Sequence, residues 1–547
     1  MKIIYALFFV LMTNFIFSQW NSNPAINNTI CVQTNKQTNP KMTSDLKGGA
    51  IIVWEDFRND TSRADIFVQR ISNGGTAMWT THGVGICVDT NNQASPVITT
   101  DSIGGAIIVW EDKRSGKKNL YAQRIDSSGT IQWASNGVGV NLNTNNQGNA
   151  KLLPDGNKGA IIVWQDSIGT SYGIVAQRLN AAGVPQWAGG SVVSALPFSQ
   201  SNPKAQISTA GEIFITWQDK RNGADFDVFV QKLNFSGAPQ WLLNGINLTN
   251  FGGTQSNPKI VLDNSGGVVV VWQDKRTAID YDVYAQRINA AGVIQWAANG
   301  IGISVAVGGQ TAIDITSQSM TNNVVIAWKD ARAGLNNIDI YAQSVNLAGV
   351  VQWPTNGLLV ANGIYNQINP NVTGDGVGGS IIAYQDSSAG NWDIRSQHVS
   401  QAGTLLWNAA GANVGIATGH QINHNNIGLL NGNSVYAFQD SRYGNKDIFA
   451  YKLDALGNPI AVIPFSDNRV NINVFPNPST ETVMFHFPGM GEHTNLILAD
   501  ASGNEIFSEE VTNADFFELK FKPKAGIYFY TIVTKNSSYK GKLIILN

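Results

Sequence analysis

The sequence predicts an all-β chain: a single eight-bladed β-propeller of four-stranded antiparallel blades, followed by a small C-terminal β-sandwich. Three observations carry this. An apolar run ending in Trp-x-Asp, or its Tyr or Phe variant, recurs eight times, with the aromatic at Trp54, Trp110, Trp164, Trp217, Trp272, Trp328, Tyr384 and Phe438. Neighbouring copies lie 53 to 56 residues apart, a fixed period that marks stacked or radial repeats. A second aromatic recurs seven times, at Trp79, Trp133, Trp187, Trp241, Trp296, Trp353 and Trp407, and its eighth copy stands at the other end of the chain, at Trp20.

The first residues, MKIIYALFFVLMTNFIFSQ, read as a signal peptide over 1–19, with Lys2 as the charged start and Ile3 to Phe17 as the apolar stretch. The propeller is expected over 20–465. Its fifth unit shows the plan. TQSNPKIVLD is a strand, and GGVVVVWQD is a second whose unbroken apolar run suits burial on both faces. DVYAQRINA is a third, and a turn before GIGISV leads into a fourth. Gly-Gly, Asn-Gly and Ala-Gly pairs supply the turns, and four strands in about 55 residues is the size of a propeller blade. The displaced Trp20 implies that the chain begins with a fourth strand and that the last unit ends with a third. An open stack has no use for that offset, whereas a ring closes by it and hides its sheet edges. In this the chain resembles the ring closure of WD-repeat-like propellers, although its motif is different.

From 466 to 547 the repeat is absent. Val474–Pro478 reads VFPNP, Asp500–Gly503 reads DASG, and Gly526–Tyr528 reads GIY ahead of a terminal KLII run. In that order these features resemble the type A C-terminal sorting domain of the type IX secretion system. The resemblance implies a small β-sandwich that binds the type IX machinery and carries the protein across the outer membrane of a Bacteroidota-type bacterium. It also implies removal of the tail after transport, and either release or attachment at the cell surface.

Composition narrows the partners. Charged residues make up 14% and the formal net charge is −2, so the basic footprint of a nucleic-acid partner is missing. After the leader no stretch reaches the roughly 18 unbroken apolar residues of a transmembrane helix. Cys31 and Cys87 hold the same place in successive units, too far apart to bridge if the repeat holds. They are expected as small buried side chains.

Three polar positions repeat with the fold. The aspartate of Trp-x-Asp occurs in every unit, as Asp56, Asp112, Asp166, Asp219, Asp274, Asp330, Asp386 and Asp440. A Gln precedes the first strand of each unit, from Gln37 to Gln421, and an Arg follows the Asp by two places in six units. One face of the disc should therefore carry polar rings. A binding rim or calcium site is one reading, and turn stitching is the other. Stitching is preferred, because a ligand of low symmetry cannot use eight equivalent residues, and D-x-R-x-G puts a cation where calcium needs an oxygen.

Function is expected where the repeat breaks. Units three and seven lack the Arg, in DSIGTSYG and DSSAGNWD, and unit eight opens GHQINHNN. Tyr365, Trp392, His420, His424 and Tyr443 are the candidate ligand-binding residues, a set suited to a sugar or peptide. No metal is expected there, because a loop cannot aim both rings of H-x-x-x-H as a helix does, and no cofactor is expected. G-x-S-x-G, H-E-x-x-H, C-x-x-C and phosphate loops are absent, and the turns are short. The chain is accordingly expected to be an extracellular or surface binding module for glycan or protein, and not an enzyme. A polysaccharide-degrading enzyme with its site at the channel mouth, or a structural surface protein, are the alternatives.

Overall fold

The protein is described by a computed structural model over residues 19–460, apart from 170, 224 and 319, and over 473–546, apart from 481, 487–493, 501–503, 512–515, 520–522 and 535–537. Residues 1–18 of the expected signal peptide, the expected boundary at 465 and Gly503 lie outside the described residues. The described residues form strands and turns and no helix. The chain divides into two compact units, Met1–Ala461 and Val462–Asn547.

The first unit contains eight four-stranded antiparallel sheets, propeller-like blades in chain order. In the first sheet Gln37–Ser44, Ala50–Asp56, Asp65–Ile71 and Val84–Cys87 pair in sequence. The second and third strands are buried at every residue. Their apolar side chains interleave with those of the next sheet, Ile51 and Val53 against Ile108 and Trp110. A continuous apolar run is what a strand covered on both faces requires.

The recurring second Trp joins neighbouring sheets. Trp79 packs against Gly129 of the following unit, where an added Cβ would lie 2.6 Å from the indole, and its Nε1 donates to Ser127 O at 3.3 Å. Trp20 makes the same contact on the first sheet, donating to Asn73 O at 2.8 Å beside Gly75, whose added Cβ would meet the Trp20 backbone at 2.4 Å. The strand after it, Asn28–Cys31, pairs with Asp447–Leu453 and so completes the sheet built from Gln421–Gly428 and Ser434–Asp440. Trp20, Ile30, Ala50, Trp54, Val435 and Ile448 share one apolar cluster.

The first strands adjoin one another from sheet to sheet, and Gln421–Gly428 adjoins Gln37–Ser44. Each carries a bulge at its third residue, a detail the sequence reading did not reach. The pairing register shifts there in all eight sheets. The third residue has φ of 51 to 54°, at Asn39, Ser95, Asn149, Asn202, Asn257, Ala312, Asn369 and Asn423. Asn tolerates this left-handed conformation better than other side-chain-bearing residues, and the recurring Q-x-N-P is its signature. A bulge bends a strand and re-aims the side chains that follow it. Cys31 and Cys87 are free and buried, each beside the Asp of its neighbouring Trp-x-Asp.

The second unit has a three-stranded sheet of Asn473–Phe475, Met484–His486 and Phe516–Glu518. A four-stranded sheet runs Glu505–Val511, Thr494–Ala499, Gly526–Thr534, Ser538–Ile545. Phe485, Leu496, Leu498, Ile532 and Leu543 form its core. Within VFPNP, Asn477 donates to Lys542 O at 2.7 Å and accepts from Ile544 N at 2.9 Å, tying the opening motif to the last strand.

Candidate functional site

The repeated Asp lies at the end of the second strand, where the turn to the third begins. In unit one Asp56 accepts from Trp54 Nε1 at 2.7 Å, from Arg58 Nη2 at 2.6 Å and from the Arg58 backbone N–H at 2.9 Å. The guanidinium is stacked 3.9 Å over Phe67 and donates to His82 O. The same Asp–Arg pair closes at 2.5 to 2.6 Å in units one, two, four, five, six and eight. Each of these carboxylates is buried with its acceptors engaged, so it is committed to the turn. The repeated Gln has a similar role. Its backbone N–H reaches the previous unit, as Gln93 to Ala64 O, and its side-chain amide holds the intervening link, as Gln93 Nε2 to Asn91 O.

Units three and seven depart from this pattern differently. In unit three Asp166 accepts from Trp164, Asn143 and Gln147 and pairs with no cation among the described residues. Beside it, Ile168, Tyr172, Leu196 and Phe198 border a recess of about 540 Å³. In unit seven Ser388 takes the place of Arg and donates to Asp386 at 2.6 Å. The cation comes from the next strand: Arg395 Nε lies 2.9 Å from Asp386 Oδ2. Arg395 occupies the column that holds Phe67, Tyr121, Tyr284 and Tyr341 elsewhere. The sequence reading noted the missing Arg and overlooked its replacement, although aligning the third strands reveals it. Tyr384 replaces the Trp and points its hydroxyl toward Ala410 O. With the arginine moved and the aromatic gone, a recess of about 240 Å³ opens, lined by Ile364, Gln367, Tyr384, Asp386, Ser388 and Arg395.

The expected residues lie outside the lining of this recess and fall into three groups. Trp392 and His420 come together: the Trp392 backbone N–H donates to His420 Nδ1 at 3.1 Å, and Gln421 N donates to Trp392 O at 2.6 Å. His420 also reaches unit eight, its N–H donating to Ser441 Oγ at 2.7 Å. Accepting at Nδ1 leaves the imidazole proton on Nε2. Tyr365 and Tyr443 are 53% and 66% exposed, on the link into unit seven and on the turn of unit eight. His424 does not belong to the rim. It lies inside the strand Gln421–Gly428, 8% exposed, at the position of Pro40 and Pro370. Burial holds its pKa down to about 4, so the ring is neutral. The loop expected there is a strand, and the strand turns this side chain inward.

His398 and Asp375, on the opposite ends of their strands, pair at 2.8 Å. Arg70–Asp45 and Arg124–Asp101 occupy the equivalent places.

No curated protein matches this sequence. Among solved structures, an endo-arabinase from Bacteroides thetaiotaomicron is similar at 13% identity over 50% of this chain and 95% of its own, with a TM-score of 0.29. An ulvan lyase is similar at 9% identity over 78% and 96%, with a TM-score of 0.39. An α-L-arabinofuranosidase from Fusarium graminearum is similar at 10% identity over 56% and 92%, with a TM-score of 0.32. On these matches the expectation that the chain is not an enzyme is withdrawn. Chains named as catalysts stand among the solved structures it is similar to. At this level of similarity none of them assigns it an activity. Among the described residues no helix is long and apolar enough to cross a membrane. Residues 473–546 match the family described as the secretion system C-terminal sorting domain, which indicates export to the cell surface or secretion.

Proposed function

We propose that this chain is an exported cargo whose residues 20–465 form a closed eight-bladed propeller acting outside the cell as a binding module for glycan or protein. Its leader, 1–19, and its tail, 466–547, serve as addresses, the tail for the type IX machinery. Closure is supported by Trp20, which repeats on unit one the contact that Trp79 makes on unit two, and by Asn28–Cys31 completing the last sheet. Ring closure of this kind leaves no sheet edge open to aggregation.

The binding face is the rim of units seven and eight. The observation that carries this reading is the exchange in unit seven, Arg to Ser388 and aromatic to Arg395, which opens a recess at a position that an arginine stacked on a ring fills in six other units. Trp392, His420, Tyr365 and Tyr443, on the turns and links of units seven and eight and outside the lining of that recess, add ring faces and hydrogen-bonding edges, the combination used for sugars and peptides. A glycan array probed with the full chain, alongside Trp392→Ala and His420→Ala, tests this. Binding that weakens about tenfold or more in both variants supports the rim. Equal binding by all three sinks it. Release of shortened oligosaccharide from a bound glycan would identify the same face as a site of turnover.

A further inference from the structure

The residue that each bulge re-aims is the fifth of its first strand, and these eight residues are Lys41, Val97, Lys151, Lys204, Lys259, Asp314, Asn371 and Asn425. Four ammoniums face one carboxylate. The arrangement is lopsided. From unit five onward the groups satisfy one another: Asp314 accepts from Lys259 Nζ at 2.9 Å, from Asn371 Nδ2 at 2.7 Å and from Val372 N at 2.9 Å. Asn425 Nδ2 then donates to Pro40 O at 3.0 Å, back on unit one. Lys41 and Lys151, on the other arc, make no ion pair among the described residues. The nearby carboxylates are already engaged, Glu55 by Thr38, Asn39 and Ser95 N, and Glu111 by Lys118 at 3.0 Å and Asn149 N.

A cavity of about 530 Å³ opens among the first strands of units four to seven. Lys204, Lys259 and Lys329 line it, with the amides Asn202, Asn257, Asn369 and Gln273 between them, and no carboxylate is among its lining residues. Lys329 is the middle residue of its Trp-x-Asp, where the other units carry Glu or Gln. Two breaks in one unit, Lys329 and Asp314, thus fall on opposite sides of the same strand pair.

We propose that this lysine-lined cavity binds an acidic saccharide, a sugar bearing carboxylate or sulfate groups, at a site separate from the rim of units seven and eight. Each ammonium carries three donors, and at most two are used at Lys204 and one at Lys259, so donors remain for an oxyanion. Amide side chains both give and accept hydrogen bonds, as sugar hydroxyls require. The lining has no aromatic face for a nucleic-acid base and little apolar surface for a peptide side chain. Crowding of the ammoniums agrees with an absent counter-charge. Burial first, then repulsion from Lys259 and Lys41, brings Lys151 down to about 8, and Lys204 is lowered in the same way. An anion beside Lys204 favours its charged form.

The test is titration calorimetry of the full chain with a galacturonate trimer, a sulfated oligosaccharide, a neutral trimer and inorganic sulfate. The proposal expects acidic oligosaccharides to bind, with affinity that falls as salt rises. The K204Q/K259Q double variant should lose about tenfold to a hundredfold in affinity. Lys204→Arg, which keeps the charge, should bind, and so should a matched surface pair, K113Q/K117Q. Trp392→Ala should leave acidic-sugar binding unchanged, which separates this site from the rim. Three results would overturn the proposal: equal binding of the neutral trimer, undiminished binding by K204Q/K259Q, or no binding of either acidic sugar. Inorganic sulfate matching the oligosaccharides would overturn the saccharide assignment.

Discussion

Units five and seven bury the same carboxylate in the same place and neutralise it from different strands. In unit five Arg276 reaches Asp274 from the turn at 2.6 Å, lies 3.6 Å over Tyr284, and shares the carboxylate with Trp272 Nε1 at 2.8 Å. In unit seven the turn residue is Ser388, the cation is Arg395 on the third strand, and Tyr384 brings no donor to Asp386. The turn keeps its carboxylate in both units and leaves the source of the cation open, and in unit three Asp166 is held by neutral donors, Trp164, Asn143 and Gln147. What differs is the space. A guanidinium stacked on a ring fills it in unit five, whereas one arginine in place of both leaves about 240 Å³ in unit seven. A compensated exchange keeps the turn and creates a recess, which plain sequence drift has no reason to do.

The contrast is sharpest if the carboxylates are removed. Asp274→Ala strands the buried indole N–H of Trp272 and an arginine that is only 14% exposed and keeps Asn299 O, and breaking a largely buried pair in this way costs about 3 kcal/mol. Asp386→Ala removes an acceptor from Ser388, from Gln367, which keeps Tyr365 O, and from Arg395, whose side chain is 22% exposed and keeps a hydrogen bond to Ala410 O, so about 1–2 kcal/mol is expected. Urea unfolding of the two variants measures the difference. Equal losses would mean that the two turns are energetically alike and that the exchange in unit seven carries no relief.

Reversing the exchange attacks the recess itself. The double variant Ser388→Arg with Arg395→Tyr recreates the arrangement of unit five. Because the regular turn is already built six times in this chain, stability should change by less than about 1 kcal/mol. Ligand capture at the rim should fall by about tenfold or more as the space fills. A variant that folds and still binds at full strength would place the ligand elsewhere. Each single variant serves as a control: Ser388→Arg crowds two cations on one carboxylate, and Arg395→Tyr leaves that carboxylate without any.

Periodicity made the eight sheets legible, because every unit must repeat the same burial pattern to cover its neighbours. The role of Trp20 was legible for the same reason, since a single displaced residue completes a series. The site was read less well. His424 looked like a rim residue because its neighbours in sequence are polar, but strand alternation decides which way it points, and Gln421 to Gly428 is a strand. Arg395 was invisible because its partner, Asp386, lies nine residues away and only pairing across the hairpin brings them together. The first-strand lysines were missed for a third reason. Q-x-N-P-K was in view, but the bulge that aims its lysine depends on a left-handed Asn that composition does not announce.

The smallest effect lies in the second carboxylate that six of the eight turns carry across the hairpin from the first. Asp282 faces Asp274, and Asp393 faces Asp386. Burial and the Asp280 and Asp274 carboxylates push Asp282 up to about 6. Burial also pushes Asp393 up to about 6, with Arg395 opposing and Asp386 adding. A folded pKa above the unfolded value of about 3.9 means that the native state holds its proton longer. The stability this contributes is complete below about pH 4 and is lost as pH rises to about 6. Asp282→Asn should therefore flatten the stability profile over that window and exceed the wild type at pH 8 by on the order of 1 kcal/mol. Asp393→Asn should do the same, because the exchange of cations leaves both carboxyls near 6. Thermal unfolding of the two variants at pH 4, 6 and 8 reads this directly. If Asp282→Asn flattens the profile and Asp393→Asn does not, Arg395 holds Asp393 ionised, and the two turns differ in charge as well as in space.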